Sequence, residues 1–163
     1  MDTGVGGCVG PIFDDSKFEY IPIPDDFPTD DKYSNCLGRS GNFLSTYLPK
    51  KLHNKYIHYD PDFRNTPVYG DSTSHQTRYL GLDENDLLVF YAGLAEWTEN
   101  KSSGIIDLYI IGYLIVEEAI AVDLSNVLDV PENAHSLRYI YDKNILDENE
   151  LELEYLSKFT LVT

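Results

Sequence analysis

The chain has 163 residues, of which 42% are hydrophobic and 13% aromatic, so it can form the core of one folded domain. Its 28 acidic and 12 basic residues give a formal net charge of -16, which argues against non-specific binding of duplex nucleic acid. Two cysteines, Cys8 and Cys36, are too few for a metal cluster of their own. Because no segment reaches the roughly 18 apolar residues of a membrane span, the sequence predicts a soluble, cytoplasmic protein with no membrane partner.

The N-terminal ten residues contain four glycines, Gly4, Gly6, Gly7 and Gly10. Dense glycine is typical either of a frayed end or of backbone that a ligand approaches closely. In the second case, the N–H groups of residues 4–7 would hold a phosphate. Further along, alternating side chains predict a short strand over residues 17–23, and the acidic segment 25–31 is predicted to be a solvated loop.

The next segment combines weak helical spacing with a strand pattern. Residues 37–56 have apolar side chains at helical intervals up to Pro49 and predict one short helix. The run Tyr-Ile-His-Tyr at residues 56–59 predicts a strand. Towards the C-terminus, a short helix is predicted after Val122 and an acidic helix over residues 146–156.

Two apolar segments, residues 87–94 and 105–122, are rich in β-branched and aromatic side chains and predict two antiparallel core strands. The polar residues 96–104 between them predict a mobile loop. Because an apolar strand at a sheet edge invites aggregation, both strands are expected in the centre of the sheet. Their pattern also resembles the PUA-like barrels, which implies a nearby pocket for a small molecule or a flipped base; two ordinary core strands explain the same residues.

The segment 58–63, His-Tyr-Asp-Pro-Asp-Phe, and the segment 69–71, Tyr-Gly-Asp, bring an imidazole, carboxylates and tyrosine hydroxyls close together in sequence. Pro61 and Gly70 favour turns, so this region can present a wall of hydrogen-bonding groups. Imidazole and carboxylate suit Mn, Fe or Zn, although the spacing matches no established ligand motif. The alternative is a set of acidic turn caps beside a surface histidine.

A second polar group comprises Asn133, His135 and Arg138. Such side chains can clamp the edge of a nucleobase or a phosphate without a globally basic surface. The alternative is that Asn133 caps a helix and that His135 is merely exposed. For Asn133 alone, the cap is the favoured interpretation.

In consistent order along the chain, six blocks resemble the nucleotide modification associated domain family, type three: residues 2–13, 18–24, 58–63, 69–71, 86–94 and 132–135. This resemblance implies a role in the modification of nucleotides or nucleic-acid bases and specifies no reaction. Compared with the family, the chain begins almost directly at Asp2 and has a short acidic tail after His135. A strand that usually precedes this point is therefore expected to be missing or truncated.

These observations predict an α+β protein: a single domain over residues 1–163, with a curved, mainly antiparallel sheet or a small PUA-like barrel and peripheral helices. The predicted function is recognition or modification of a nucleotide or modified base in a local pocket. One alternative is a non-catalytic PUA-like reader of a modified base. The other is an acidic interaction protein, which ranks last because it gives no role to the histidine motifs.

Candidate site residues fall into two groups. The predicted catalytic residues are His58, Asp60, Asp62 and His135. Either aspartate would act as general base or metal ligand, and either histidine as acid, with a divalent metal as the possible cofactor. The predicted ligand-binding residues are Thr3, Gly4, Gly6, Gly7, Tyr69, Asp71, Tyr91, Asn133 and Arg138. Among them, Tyr91 would supply a stacking surface.

Overall fold

The computed structural model describes residues 9–64, 67–71, 76–99, 101–123, 125–137 and 159–163. The chain divides into two compact units. The first contains the residues up to His58 together with Val89–Tyr113, and the second contains Tyr59–Leu88 together with the residues from Leu114 onward. No helix in the described ranges has the length and apolar character needed to cross a membrane.

Five strands build the two sheets that belong largely to the first unit: β1 (Gly10–Ile12), β2 (Ile23–Asp25), β3 (Tyr56–His58), β5 (Leu87–Thr98) and β6 (Lys101–Ile115). The larger sheet has the order β1-β5-β6, with β1 parallel to β5. β2 and β3 form a separate antiparallel pair. The strand predicted over residues 56–59 is thus confirmed as β3.

The two apolar segments pair as predicted, but their lengths and positions differ from the prediction. Only residues 99 and 100 separate β5 from β6, and so short a connection permits only an antiparallel hairpin. The predicted loop over 96–104 is therefore wrong, because its polar residues belong to the exposed end of the hairpin. β5 is central, whereas β6 is the edge of the described sheet.

Two further local predictions are corrected in this part of the chain. Residues 17–23 form only an isolated bridge at Phe18, and ladder pairing starts at Ile23. The single helix predicted within 37–56 is instead two 3-10 helices, Leu44–Tyr47 and Lys50–Leu52. Pro49 lies between them and cannot donate the backbone hydrogen bond that would join them.

The second unit is built around a three-stranded antiparallel sheet of β4 (Tyr69–Asp71), β7 (Ala119–Val122) and β8 (Phe159–Val162), with a short helix, α1 (Gln76–Tyr79). β8 lies in the middle, so β4 and β7 are held together by the C-terminal strand. Buried aliphatic side chains form the core of this sheet: Val68, Val122, Val127 and Leu161.

The C-terminal half differs from the sequence prediction in two respects. Residues 105–122 are not one strand, because β6 ends at Ile115 and Ala119–Val122 form β7 in another sheet. The helix predicted after Val122 is a set of turns over 125–129. The predicted acidic helix at 146–156 lies outside the described residues.

The described part of the chain is rich in sheet and poor in helix, with three small sheets. β1 pairs with β5 in parallel, whereas β2 with β3, β4 with β8 and β7 with β8 are antiparallel pairs, in agreement with a mainly antiparallel protein. Within the described residues none of the three sheets closes into a barrel.

Candidate functional site

A buried carboxylate, that of Asp60, is the centre of a polar group in the second unit. Asp60 is only 6% exposed, and a buried charge is tolerated only when hydrogen bonds compensate its loss of hydration. Its Oδ1 accepts the Gly70 backbone N–H at 2.8 Å and the Asn133 Nδ2 group at 3.1 Å. Its Oδ2 lies 3.2 Å from Nε2 of His135. We call Asp60, Gly70, Asn133 and His135 the Asp60 site.

Asn133 positions His135 by capping the helical residues 134–137. Its Oδ1 accepts the His135 backbone N–H at 2.8 Å, and its own N–H donates to Oγ of Ser136 at 2.8 Å. The predicted cap is confirmed, and the same amide donates to Asp60 from its other end. His135 is not merely exposed, since 18% of its side chain is accessible.

Gly70 gives the Asp60 site the space it needs. A β-carbon at this position would lie 2.7 Å from Cδ2 of His135 and 2.8 Å from Oδ1 of Asn133. Both distances are shorter than van der Waals contact allows, so a side chain here would displace the imidazole or the amide. β4 holds Gly70 in place because this residue pairs with Leu161 of β8.

Tyr69 and Asp71 flank Gly70 on β4 and are both buried. Oη of Tyr69 lies 3.4 Å from Oη of Tyr79 and 3.5 Å from Oδ2 of Asp71. Burial raises the pKa of Tyr69 far above its ordinary value, and the hydrogen bond to Tyr79 and the charge of Asp60 raise it further. Tyr69 is therefore a neutral phenol at any physiological pH.

Asp62 has a different set of contacts. Its Oδ1 accepts the Arg64 backbone N–H at 2.9 Å and Nε at 3.0 Å, and its Oδ2 accepts Nη2 at 2.8 Å. The Arg64 guanidinium also stacks 3.3 Å above the centre of the Tyr59 ring. Asp62 is therefore held by a two-pronged ion pair, and its backbone pairs with that of Val68 in an isolated bridge.

His58 belongs to the first unit, where its Nδ1 lies 2.8 Å from Oδ2 of Asp25. The two side chains are 8% and 9% exposed. Asp25 was expected in a solvated loop, so that expectation is wrong for this residue. No local signal marks Asp25 as a histidine partner, because the contact depends on the pairing of β2 with β3.

The remaining predicted residues lie elsewhere. Tyr91 is on β5 of the first unit and is 42% exposed. A larger group falls outside the described residues: Thr3, Gly4, Gly6, Gly7 and Arg138. Ser136 was missed by the sequence analysis, although a serine three residues after Asn133 has the spacing of a reciprocal helix cap.

The Asp60 site combines groups suited to proton transfer. Asp60 is a buried acceptor, and His135 is the more accessible partner, with side-chain exposures of 4% and 18%. Carboxylate and imidazole are also ligands for Zn, Mn or Fe. The site therefore offers acid–base or metal-binding chemistry from residues that lie 75 positions apart in sequence.

The sequence model of one protein family, nucleotide modification associated domain 3, matches residues 1–151. Among curated proteins and among solved structures, none matches the chain significantly. The family match includes the segments 58–63, 69–71 and 132–135 that supply the Asp60 site. Since it covers most of the 163 residues, the chain belongs to the nucleotide modification associated domain 3 family.

Proposed function

We propose that the chain recognises or modifies a nucleotide or a modified base at the Asp60 site. The observation that carries this proposal is the direct contact of the buried Asp60 carboxylate with the His135 imidazole, at 3.2 Å. Membership of a family associated with nucleotide modification supplies the class of ligand. Perturbed or specially paired titratable groups are typical of functional sites.

The geometry supports different roles for Asp60 and His135. An ionised Asp60 accepts a hydrogen bond, so the facing Nε2 of His135 carries a proton. In the neutral imidazole, Nδ1 then holds the lone pair and can accept a proton. We therefore assign His135 the proton transfer and Asp60 the orientation of the ring, which refines the expectation that Asp60 itself is the base.

The neighbouring groups support binding of a small, locally recognised ligand. Gly70 and Asn133 hold Asp60 in one orientation, and the neutral Tyr69 phenol adds no charge. A formal net charge of -16 opposes the approach of a long polyanion but has less effect on a single nucleotide or base. The ligand class is thus a nucleotide or modified base rather than a duplex.

The other assigned residues keep their predicted roles as part of this proposal. His58 would serve as a second acid, Asp62 as a base or metal ligand, Asp71 and Tyr91 as ligand contacts, and the N-terminal glycines with Arg138 as phosphate contacts. A divalent metal could bind the carboxylate and imidazole donors. A PUA-like arrangement of the strands, and action of residues 1–163 as one domain, also belong to the proposal.

A thermal-shift screen with nucleosides, nucleotides and modified bases, each with and without Mn²⁺ or Zn²⁺, tests the proposal. A ligand present at about 100 times its dissociation constant stabilises the folded state by about 2.7 kcal/mol, or about 5 to 10 °C for a chain of this size. We expect this shift in the wild type and in the control Asp129→Asn, which makes the same chemical change at an exposed position of the second unit. The shift should be smaller in Asp60→Asn and in His135→Gln.

Incubation of the stabilising compound with wild type, followed by mass spectrometry, separates the two forms of the proposal. A new product that Asp60→Asn does not form indicates catalysis. Binding without a product indicates the non-catalytic reader. Stabilisation by none of the compounds, or equal stabilisation of Asp60→Asn, would show that the Asp60 site is not a nucleotide site and would favour the acidic interaction protein.

A further inference from the structure

One face of the hairpin formed by β5 and β6 is apolar and exposed. A β-carbon at Gly93 of β5 would lie 3.1 Å from Cγ2 of Ile106 of β6, so these two positions point to the same side of the sheet. Side chains two positions apart on a strand share a face. This face therefore carries five large apolar side chains, all in the first unit, which we call the hairpin face: Val89, Tyr91, Ile106, Leu108 and Ile110.

The two faces of the hairpin differ in burial and not in polarity. The side chains of the hairpin face are between 40% and 70% exposed. On β5, the residues that alternate with them are buried: Phe90, Ala92 and Leu94. An antiparallel sheet with one face on a core usually presents polar side chains on the other face. An apolar face in that position is typical of a surface that another molecule covers.

The hairpin face is also uncharged, although the chain is strongly acidic. Residues 87–95 contain no charged residue, and Asp107 is the only one in residues 102–115. Because Asp107 lies between Ile106 and Leu108 on β6, its side chain points to the opposite side of the sheet. A charged partner surface would lose hydration here without gaining an ion pair. The partner that fits is therefore itself apolar and uncharged, and a second hairpin face has both properties.

We propose that a second copy of the chain packs its hairpin face against this one, sheet on sheet, in a two-fold symmetric dimer. Two-fold symmetry brings identical patches together, so the contact buries two uncharged faces and leaves the acidic residues outside it. The exposed side chains offer roughly 500 Å² on each copy, the size of the largest patch on a typical monomer. Two such faces bury about 1,000 Å² in total, the lower limit for a specific interface, so the dimer is weak and reversible.

This interface goes beyond the function proposed for the Asp60 site, because none of the four residues of that site belongs to the hairpin face. The two proposals meet only at Tyr91, which is also a proposed ligand contact. A ligand that contacts the Tyr91 ring would therefore compete with the second copy. The oligomeric state is measured without any nucleotide, so the dimer can fail while the nucleotide site holds, and the reverse.

Sedimentation velocity on the wild type tests for the dimer. We expect mainly monomer at about 1 µM protein and mainly dimer at about 500 µM, with a dissociation constant on the order of 10 µM. Raising NaCl from about 50 to 300 mM should tighten the dimer at least threefold, because salt screens the repulsion between two chains of formal net charge -16. A monomer at about 500 µM in both salt concentrations, assembly beyond the dimer, or weakening by salt would overturn the proposal.

A matched pair of variants on β6 tests which face forms the contact. Leu108→Asp places a charge on the hairpin face and should weaken dimerisation at least about tenfold. Ile105→Asp is the control, because Ile105 is similarly exposed, at 60% against 65%, and points to the other side of the sheet. The control should weaken dimerisation less than about threefold.

Circular dichroism melting at about 1 µM, where the chain is a monomer and both new charges lie in solvent, checks that the variants fold. Unchanged dimerisation of folded Leu108→Asp, or equal weakening by Leu108→Asp and Ile105→Asp, contradicts the proposal. If Leu108→Asp does not fold, Ile110→Asp places the same charge on the same face and decides the question by the same comparison.

Discussion

Gly70, a single residue of the second unit, determines how three other residues of the Asp60 site are placed: Asp60, Asn133 and His135. Its backbone N–H donates to Asp60, and the absence of a side chain lets His135 and Asn133 approach. The geometry of the Asp60 site therefore depends on glycine for its lack of a β-carbon. Gly81 is a useful contrast, because a β-carbon there would meet only the Arg78 carbonyl oxygen, at an ordinary 3.5 Å.

We predict that Gly70→Ala destabilises the chain by about 1 to 3 kcal/mol, since overpacking a tight site forces neighbouring groups to move. For a chain of this size, that loss lowers the melting temperature by about 2 to 12 °C. Gly81→Ala should be neutral or slightly stabilising, because alanine restricts the unfolded chain. Circular dichroism melting measures both. Equal melting temperatures for the two variants would contradict the packing seen around Gly70.

At the scale of elements, β6 departs most from expectation. A run such as Ile-Ile-Asp-Leu-Tyr-Ile-Ile was expected in the centre of a sheet, yet in the described sheet β6 lies at the edge. Ile105, Leu108 and Ile110 are 60%, 65% and 70% exposed, whereas Ile111 is 9% exposed. The residue types of a segment indicate whether it favours an extended backbone. Whether its side chains are buried depends on the elements that pack against the strand.

We predict opposite outcomes for two adjacent substitutions on β6. Ile111→Asp places a charge at a buried position and should cost more than about 3 kcal/mol, because a buried charge without partners is strongly unfavourable. Ile110→Asp places the same charge in solvent and should change the stability by less than about 1 kcal/mol. Urea unfolding followed by circular dichroism compares them. Similar urea midpoints for the two variants would contradict the assignment of Ile111 to a buried face of β6 and of Ile110 to an exposed face.

At the scale of the whole molecule, charge is the dominant property. The formal net charge is -16, and in the described ranges three basic residues, Lys17 among them, form ion pairs with carboxylates. Lys55 forms an ion pair with Asp26, and Arg64 binds Asp62. Lys50 and Lys51, by contrast, are exposed on their 3-10 helix.

We predict that duplex DNA binds weakly and that its affinity does not fall between about 50 and 200 mM salt, because binding releases few counterions. Added salt should even help slightly, since it screens the repulsion. Fluorescence anisotropy with a labelled duplex measures this, with Lys50→Glu/Lys51→Glu as the comparison. A steep fall of the wild-type affinity with salt that the double variant lacks would reveal a basic docking face and contradict a purely local mode of recognition.

The sequence by itself determined the properties that depend on composition and on neighbours along the chain. The sequence was enough to determine the net charge and the family. It was also enough to predict β3, the apolar hairpin and the helix cap at Asn133. A cap or a strand is encoded within a few residues, because its hydrogen bonds and backbone preferences are local. The family can likewise be identified from the sequence, because its motifs are short local blocks in a constant order.

Only the tertiary structure decided which of these motifs meet. Asp60 contacts His135 across 75 positions, and Asp25 contacts His58 across 33. β8, which the sequence analysis did not predict, is the strand that holds β4 and therefore Gly70 in place. Such contacts follow from strand pairing between distant segments, and a carboxylate in a loop looks the same in sequence whether it faces water or an imidazole.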